Sequence, residues 1–179
     1  MNPRNLQSSV LLNQNQLQNL PEQSIATSLQ AKGELALLNK YFDKGLNYFN
    51  KALSLEPTNF KLYFSQGLSL FQFAQEKQQE KPLLLANKRL KTAAQLNPNH
   101  LDIWQAWSSV LCALGFTYKN VKYFLEAHEK ITQAIDLCPI QKIDTLTDLT
   151  ADLGSIFLHI ASYSQEPNDL YHSIQAFEK

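Results

Sequence analysis

Three segments of the chain share one spacing of small, bulky and proline residues. They read GLNYFNKALSLEP (residues 45–57), ANKRLKTAAQLNP (86–98) and AHEKITQAIDLCP (127–139). In each segment a small residue comes first, a bulky residue follows four positions later, an alanine comes three positions after that, and a proline ends the segment. The three prolines are 41 residues apart. A fixed period of this length predicts a repeat architecture.

A second pattern precedes each segment. A small residue follows a larger residue by four positions, which places both on one stripe of a helix. A small side chain on that stripe, and another at the start of the following segment, would let the two helices of a pair approach closely. The proline then ends the pair, because it cannot continue a helix. The small residues of the first stripe are Gly33, Gly67, Ser108 and Gly154, and a partial fourth copy of the second segment runs from Ser173 to Phe177.

These positions resemble those of the tetratricopeptide repeat (TPR) family over about residues 26–179. The resemblance implies an all-α fold, a right-handed superhelical array of antiparallel helix pairs, or α-solenoid. We predict a repeat domain over 23–179, with repeats at about 26–59, 60–100, 101–141 and 142–179, the last of them incomplete. A Gln/Asn-rich segment at 1–22 precedes it, and its composition is compatible either with a capping helix or with a disordered tail.

The predicted repeats are longer than the 34 residues typical of the family. Seven additional residues lie between the two helices of the second, third and fourth repeats. Seven residues make about two helical turns, so we expect lengthened helices with the same face inward. In the third repeat, Gly115 predicts that the first helix ends at 114. The predicted helices span 24–39, 42–55, 59–79, 83–96, 100–114, 118–137, 143–164 and 168–179.

The composition argues against several classes of function. Sixteen basic residues balance sixteen acidic residues, so no net charge favours nucleic acid. No phosphate-binding loop, metal-ligand spacing or hydrolase motif is present, so we expect no enzyme, no cofactor and no metal. Cys112 and Cys138 match no metal spacing and are predicted to be small buried residues. No stretch is apolar enough for membrane insertion, and we expect a cytoplasmic protein of unpredicted oligomeric state.

The resemblance also implies where a ligand would bind, because the first helix of each family repeat lines a concave groove. Phe64, Leu68 and Phe71 are spaced at i, i+4 and i+7 beside the core stripe. If exposed, they would form a patch for a peptide or helix; the alternative is that a neighbouring helix or the N-terminal segment covers them. The candidate partner-binding residues are Gln30, Glu34, Lys61, Phe64, Ser65, Leu68, Phe71, Asp102, Gln105, Ser109, Asp148, Asp152 and Ser155.

Some members of the family hold the C-terminal carboxylate of heat-shock chaperones with Lys and Asn side chains. The matching positions here supply neither donor, so we argue against that ligand; they are Gln30, Glu34, Phe64, Leu68, Asp102 and Ala106. Asp144, Asp148 and Asp152 form an acidic stripe that is either a solvated helix face or attractive to a basic partner.

We expect a protein-binding scaffold that holds a peptide or helix of another protein in its concave groove. Such a scaffold could act as a chaperone-like protein or as an assembly factor. The alternative is a structural or regulatory module of a longer polypeptide that has no ligand of its own. The sequence names neither the partner nor the pathway, since fold does not fix function.

Overall fold

The computed structural model describes residues 22–164 and is all-helical over that range. This confirms the predicted all-α class. The predicted N-terminal segment and the predicted helix at 168–179 lie outside the described residues. The helices are α1 Glu22–Leu38, α2 Phe42–Leu55, α3 Phe60–Lys77, α4 Glu80–Leu96, α5 Leu101–Tyr118, α6 Val121–Leu137 and α7 Ile143–Tyr163.

The helices form three pairs, α1–α2, α3–α4 and α5–α6, and α7 packs on the last of them. Short turns join the members of a pair, so each pair is an antiparallel hairpin. The first helices α1 and α3 also contact each other, whereas the second helices α2, α4 and α6 make at most marginal contacts with one another. Closer spacing of the first helices places them on the inner side of the curved array.

Small residues allow the two helices of a pair to cross closely, as the sequence predicts. A Cβ atom added to Gly33 would lie 2.7 Å from Cδ2 of Phe49, and one added to Gly67 would lie 2.7 Å from Cγ of Leu90. In the third pair, the Ser108 hydroxyl donates a hydrogen bond of 2.9 Å to the carbonyl oxygen of Ala127. The predicted repeat positions therefore form the helix crossings.

Gly154 differs from the other three positions. It is exposed in the described part of the chain, and an added Cβ atom would meet nothing within 4 Å there. Its predicted partner in the fourth repeat lies outside the described residues, so the predicted close crossing at Gly154 stays a prediction.

Aromatic residues on the first helices connect consecutive repeats. The Tyr63 hydroxyl donates a hydrogen bond to the carbonyl oxygen of Pro57 at 3.0 Å. One period later, the Trp104 indole nitrogen donates to the carbonyl oxygen of Pro98 at 2.7 Å. The same two repeat positions therefore hold the start of α3 and the start of α5 against the end of the preceding helix pair.

The additional residues of the second and third repeats lengthen helices, as predicted. The α3 helix continues ten residues beyond Gly67, compared with five residues of α1 beyond Gly33. A two-residue turn, Gln78-Gln79, separates α3 from α4. The five additional residues of α3 extend this wall of the array by more than one turn, or roughly 7.5 Å.

The prediction that α5 ends at Gly115 is wrong. This glycine lies inside α5, which continues to Tyr118, and α6 begins at Val121 rather than near Tyr118. A Cβ atom at Gly115 would lie 2.7 Å from Cζ of Phe124. The glycine is therefore needed for a close helix approach and does not cap a helix end.

Three helix ends use left-handed residues that are not glycine. Lys40, Gln78 and Lys119 have φ angles of 68°, 50° and 49°. In each case the following amide donates to a carbonyl oxygen five residues earlier, for example from Gln79 to Ala74 at 3.3 Å. This is the Schellman arrangement, which usually places glycine at the left-handed position.

Candidate protein-binding groove

The first helices of the first two repeats enclose a groove of about 620 Å³. We call it the α1–α3 groove. From α3 it receives Lys61, Phe64, Ser65 and Leu68, and from α1 it receives Gln30, Ala31, Glu34, Leu35 and Leu38. The residues lie together because i, i+4 and i+7 positions share one face of each helix.

Leucine side chains provide the apolar surface of the α1–α3 groove. Leu35, Leu38 and Leu68 are 58%, 55% and 40% exposed. Below them, Leu37 and Phe73 are buried and join the groove to the hydrophobic core. Three partly exposed leucines around one cavity form an apolar surface that water solvates poorly.

The polar groups of the α1–α3 groove are mostly paired with each other. The Glu34 carboxylate accepts hydrogen bonds from the Gln30 amide at 2.9 Å and from the Ser65 hydroxyl. Lys40 forms an ion pair with Glu76. Among the described residues, the Lys61 ammonium has no such partner. The groove therefore combines apolar surface with almost no net charge.

A second groove of about 400 Å³ lies between α3, α5 and α7. We call it the α3–α7 groove. Its lining includes Phe71, Ser109, Phe116, Asp152 and Ser155. At its edge the Gln105 amide donates a hydrogen bond to the Asp152 carboxylate at 3.3 Å, which connects α5 to α7.

No protein-family model matches the chain, and no curated protein matches it in sequence. Among solved structures, its fold is similar to the first TPR of Spaghetti (RPAP3), a structure bound to the HSP90 peptide SRMEEVD. The two share 16% sequence identity and a TM-score of 0.52, over 73% of this chain and 97% of that chain. The chain has a tetratricopeptide-like helical-repeat fold. At this identity the similarity shows the fold alone.

The tetratricopeptide-like fold brings most of the predicted site residues to two places. The α1–α3 groove contains Gln30, Glu34, Lys61, Phe64, Ser65 and Leu68. The α3–α7 groove contains Phe71, Ser109, Asp152 and Ser155, with Gln105 beside them.

Two predicted residues lie in neither groove. Asp102 lines a separate cavity at the beginnings of α5 and α7, where its carboxylate is 3.8 Å from the His100 ring. Asp148 is exposed on α7, one turn before Asp152. The predicted site residues therefore do not form one continuous groove.

The predicted patch of Phe64, Leu68 and Phe71 is divided by the structure. Leu68 is exposed, whereas both phenylalanines are half-buried and pack against the core. Phe64 also lies against the His100 ring, with the ring centres 5.7 Å apart. Only Leu68 therefore offers an exposed apolar side chain from this stripe.

The apolar residues on the α1 side of the groove were not among the predicted site residues. Leu35 and Leu38 line it and are more exposed than Leu68. The signal was present, because Ala31, Leu35 and Leu38 have the same i, i+4, i+7 spacing that singled out the α3 stripe.

The titratable groups of the α3–α7 groove do not form a reactive centre. Burial, together with the charge of Asp152, raises the pKa of the Cys112 thiol to about 12, so the thiol stays protonated near neutral pH. The His159 ring packs edge-on against Phe116, with centres 4.6 Å apart.

Both cysteines are free and half-buried, which corrects the prediction that they are buried.

Residues 22–164 contain neither a metal-binding cluster nor a membrane-spanning helix. No group of three or more His, Cys, Asp or Glu side chains lies close enough there to hold a metal ion. None of the helices in that range combines the length and the apolar character that crossing a bilayer requires.

Proposed function

We propose that the protein is an interaction scaffold that binds an extended or helical segment of a partner protein in the α1–α3 groove. The observation that carries this proposal is the convergence of exposed Leu35, Leu38 and Leu68 on one cavity. Exposed apolar side chains around a groove are typical of surfaces that bind amphipathic segments.

The fold supports the same proposal. A solenoid presents its inner helices as an extended surface, and both walls of the groove are first helices of their repeats. The similar structure holds a short peptide. A segment bound here would contact α1 and α3 together, so its apolar side chains would span two repeats.

The chemistry of the groove favours an apolar segment over an acidic one. The peptide of the similar structure contains two glutamates and an aspartate. Here Glu34 would repel such groups, and Lys61 is the only unpaired cation of the described lining. We therefore propose a partner segment that inserts leucine-like side chains into the groove, bound in the cytoplasm in a chaperone-like or assembly role.

Selection of peptides from a phage-display library by the 179-residue chain tests the proposal. We expect selected peptides to carry apolar anchors. The Leu35→Glu/Leu68→Glu variant should bind them at least about tenfold more weakly, because burying an unpaired carboxylate is costly. Fluorescence polarisation with labelled peptides measures the change, and circular dichroism checks that the variant is folded.

A matched control uses leucines of similar exposure on an outer helix. Leu84 and Leu96 of α4 are 44% and 39% exposed and do not line the groove. Leu84→Glu/Leu96→Glu should leave peptide affinity unchanged. Equal peptide affinities for the wild type and both double variants would contradict the proposal. Selection of no peptide would favour the alternative of a structural or regulatory module.

A further inference from the structure

The α3–α7 groove combines exposed aromatic surface with a carboxylate. Phe116 lines the groove and is 44% exposed, and Phe71, which is half-buried, adds further apolar surface. Asp152 faces the same space and is held toward α5 by the hydrogen bond from Gln105. Its negative charge acts on the groove, since it contributes to the raised pKa of Cys112.

The two helices that form most of this groove carry only negative formal charges. The α5 and α7 helices contain four aspartates, Asp102, Asp144, Asp148 and Asp152, and neither lysine nor arginine. The nearest basic positions in sequence are Lys119, after α5, and Lys142, before α7. Lys142 lines the cavity of Asp102 and does not line the α3–α7 groove.

The balancing positive charge lies mainly on the second helix of the second repeat, α4. The α4 helix alone carries Lys81, Lys88, Arg89 and Lys91 against a single acid, Glu80. The zero net charge of the chain therefore conceals a separation: the inner side of the later repeats is negative, and the outer side of the second repeat is positive. Charge separation of this kind steers association and selects partners.

We infer that the bound partner segment carries lysine or arginine residues that occupy the α3–α7 groove. This inference rests on the proposed function and extends it, because it names the charge of the partner. An arginine or lysine stem would lie against the exposed face of Phe116, and its cationic head would reach Asp152. Asp148, one turn away on the same face, provides a second carboxylate for the next basic residue.

The test compares peptide charge and groove charge in the 179-residue chain. Peptides selected as above should be enriched in lysine and arginine relative to the starting library. Asp148→Asn/Asp152→Asn should weaken a selected basic peptide about three- to tenfold at low ionic strength, since exposed charge pairs contribute modestly. The control variant, Glu126→Gln/Asp136→Asn, neutralises two exposed acids of the outer helix α6 and should change nothing.

The outcomes separate this inference from the proposed function. Peptides that bind without basic enrichment would overturn the inference and leave the scaffold intact. Basic peptides whose affinity is the same in wild type and in Asp148→Asn/Asp152→Asn would also overturn it, because their charges would bind elsewhere. If no peptide of any composition is selected, both proposals fail. Selected peptides that are enriched in lysine and arginine, and that bind the Asp148→Asn/Asp152→Asn variant more weakly than wild type, would support the inference.

Discussion

The indole nitrogen of Trp107 donates a hydrogen bond of 2.6 Å to the side-chain oxygen of Asn87, and this bond connects α5 to the preceding helix. The Lys130 ammonium lies 4.9 Å from the centre of the same indole ring. Trp107 therefore contacts both α4 and α6, and it connects the second repeat to the third.

Asn87→Ala should lower the free energy of unfolding by about 1–2 kcal/mol, because it leaves the buried indole N–H without its acceptor. Urea denaturation followed by circular dichroism measures the change. Asn47→Ala, at an exposed site on α2, is the control and should change stability by less than about 0.5 kcal/mol. Equal effects at the two sites would show that the indole bond contributes nothing.

Gln66 occupies the position of Trp107 one period earlier, and its environment is unfavourable. The side chain is fully buried, and both of its polar atoms lack a hydrogen-bond partner among the described residues. Leu46, rather than an asparagine, stands one period before Asn87. Gln66→Met keeps the length of the side chain and should raise the free energy of unfolding by about 1–3 kcal/mol.

Thermal and urea unfolding of Gln66→Met can be compared with Gln72→Met, an exposed site on the same helix. The control should stay within about 0.5 kcal/mol of wild type. A loss of stability in Gln66→Met would show that the buried amide takes part in an interaction that supports the fold.

Glycine should be preferred at the left-handed helix ends. Gln78→Gly and Lys119→Gly should each raise the free energy of unfolding by about 0.5–1 kcal/mol, since glycine adopts positive φ without steric cost. Differential scanning calorimetry provides the measurement. Asn97→Gly is the matched control: Asn97 also ends a helix but has a φ of −142°, so glycine there should destabilise through backbone entropy.

The Cys112 thiol should resist alkylation in the folded protein. Its pKa, raised from 9.0 to about 12, keeps the thiolate fraction low at pH 8.5, and the thiolate is the reactive form. In the Cys138→Ser variant, iodoacetamide should label Cys112 at least about a hundredfold more slowly in the folded chain than in guanidinium.

The raised pKa of Cys112 also predicts how the free energy of unfolding depends on pH. The protonated thiol contributes its full stabilisation below pH 9, and this contribution is lost as the pH rises toward 12. Cys112→Ser should therefore remove part of the stability loss between those pH values. Rapid labelling of folded Cys112 at pH 8.5 would contradict the burial that the structure assigns to it.

The repeat positions allowed most of the helices to be predicted, because a proline or a small residue at a fixed period has few structural alternatives. The predicted bounds of α2, 42–55, agree with the structure. The helix end predicted from Gly115 is wrong, since a glycine can either end a helix or allow the close approach of a neighbouring ring. Only the position of Phe124 distinguishes the two.

The groove was harder to predict than the fold. The spacing of Leu35 and Leu38 places them on one face of α1, but only the packing of α1 beside α3 makes that face a wall of a groove. Conversely, Phe64 and Phe71 have the sequence spacing of an exposed stripe but are half-buried, because neighbouring helices cover one edge of α3. Spacing along a helix identifies a face, whereas the exposure of that face depends on tertiary packing.

The pattern of helix contacts also bears on how the chain acquires its structure during synthesis. Among the helices of residues 22–164, substantial contacts join only those that are one or two places apart in the sequence. Forming them never requires distant segments to meet, so the entropic cost of loop closure stays small. Each hairpin can dock on the one made before it while the ribosome is still adding residues, which limits the time for which its apolar face is open to aggregation.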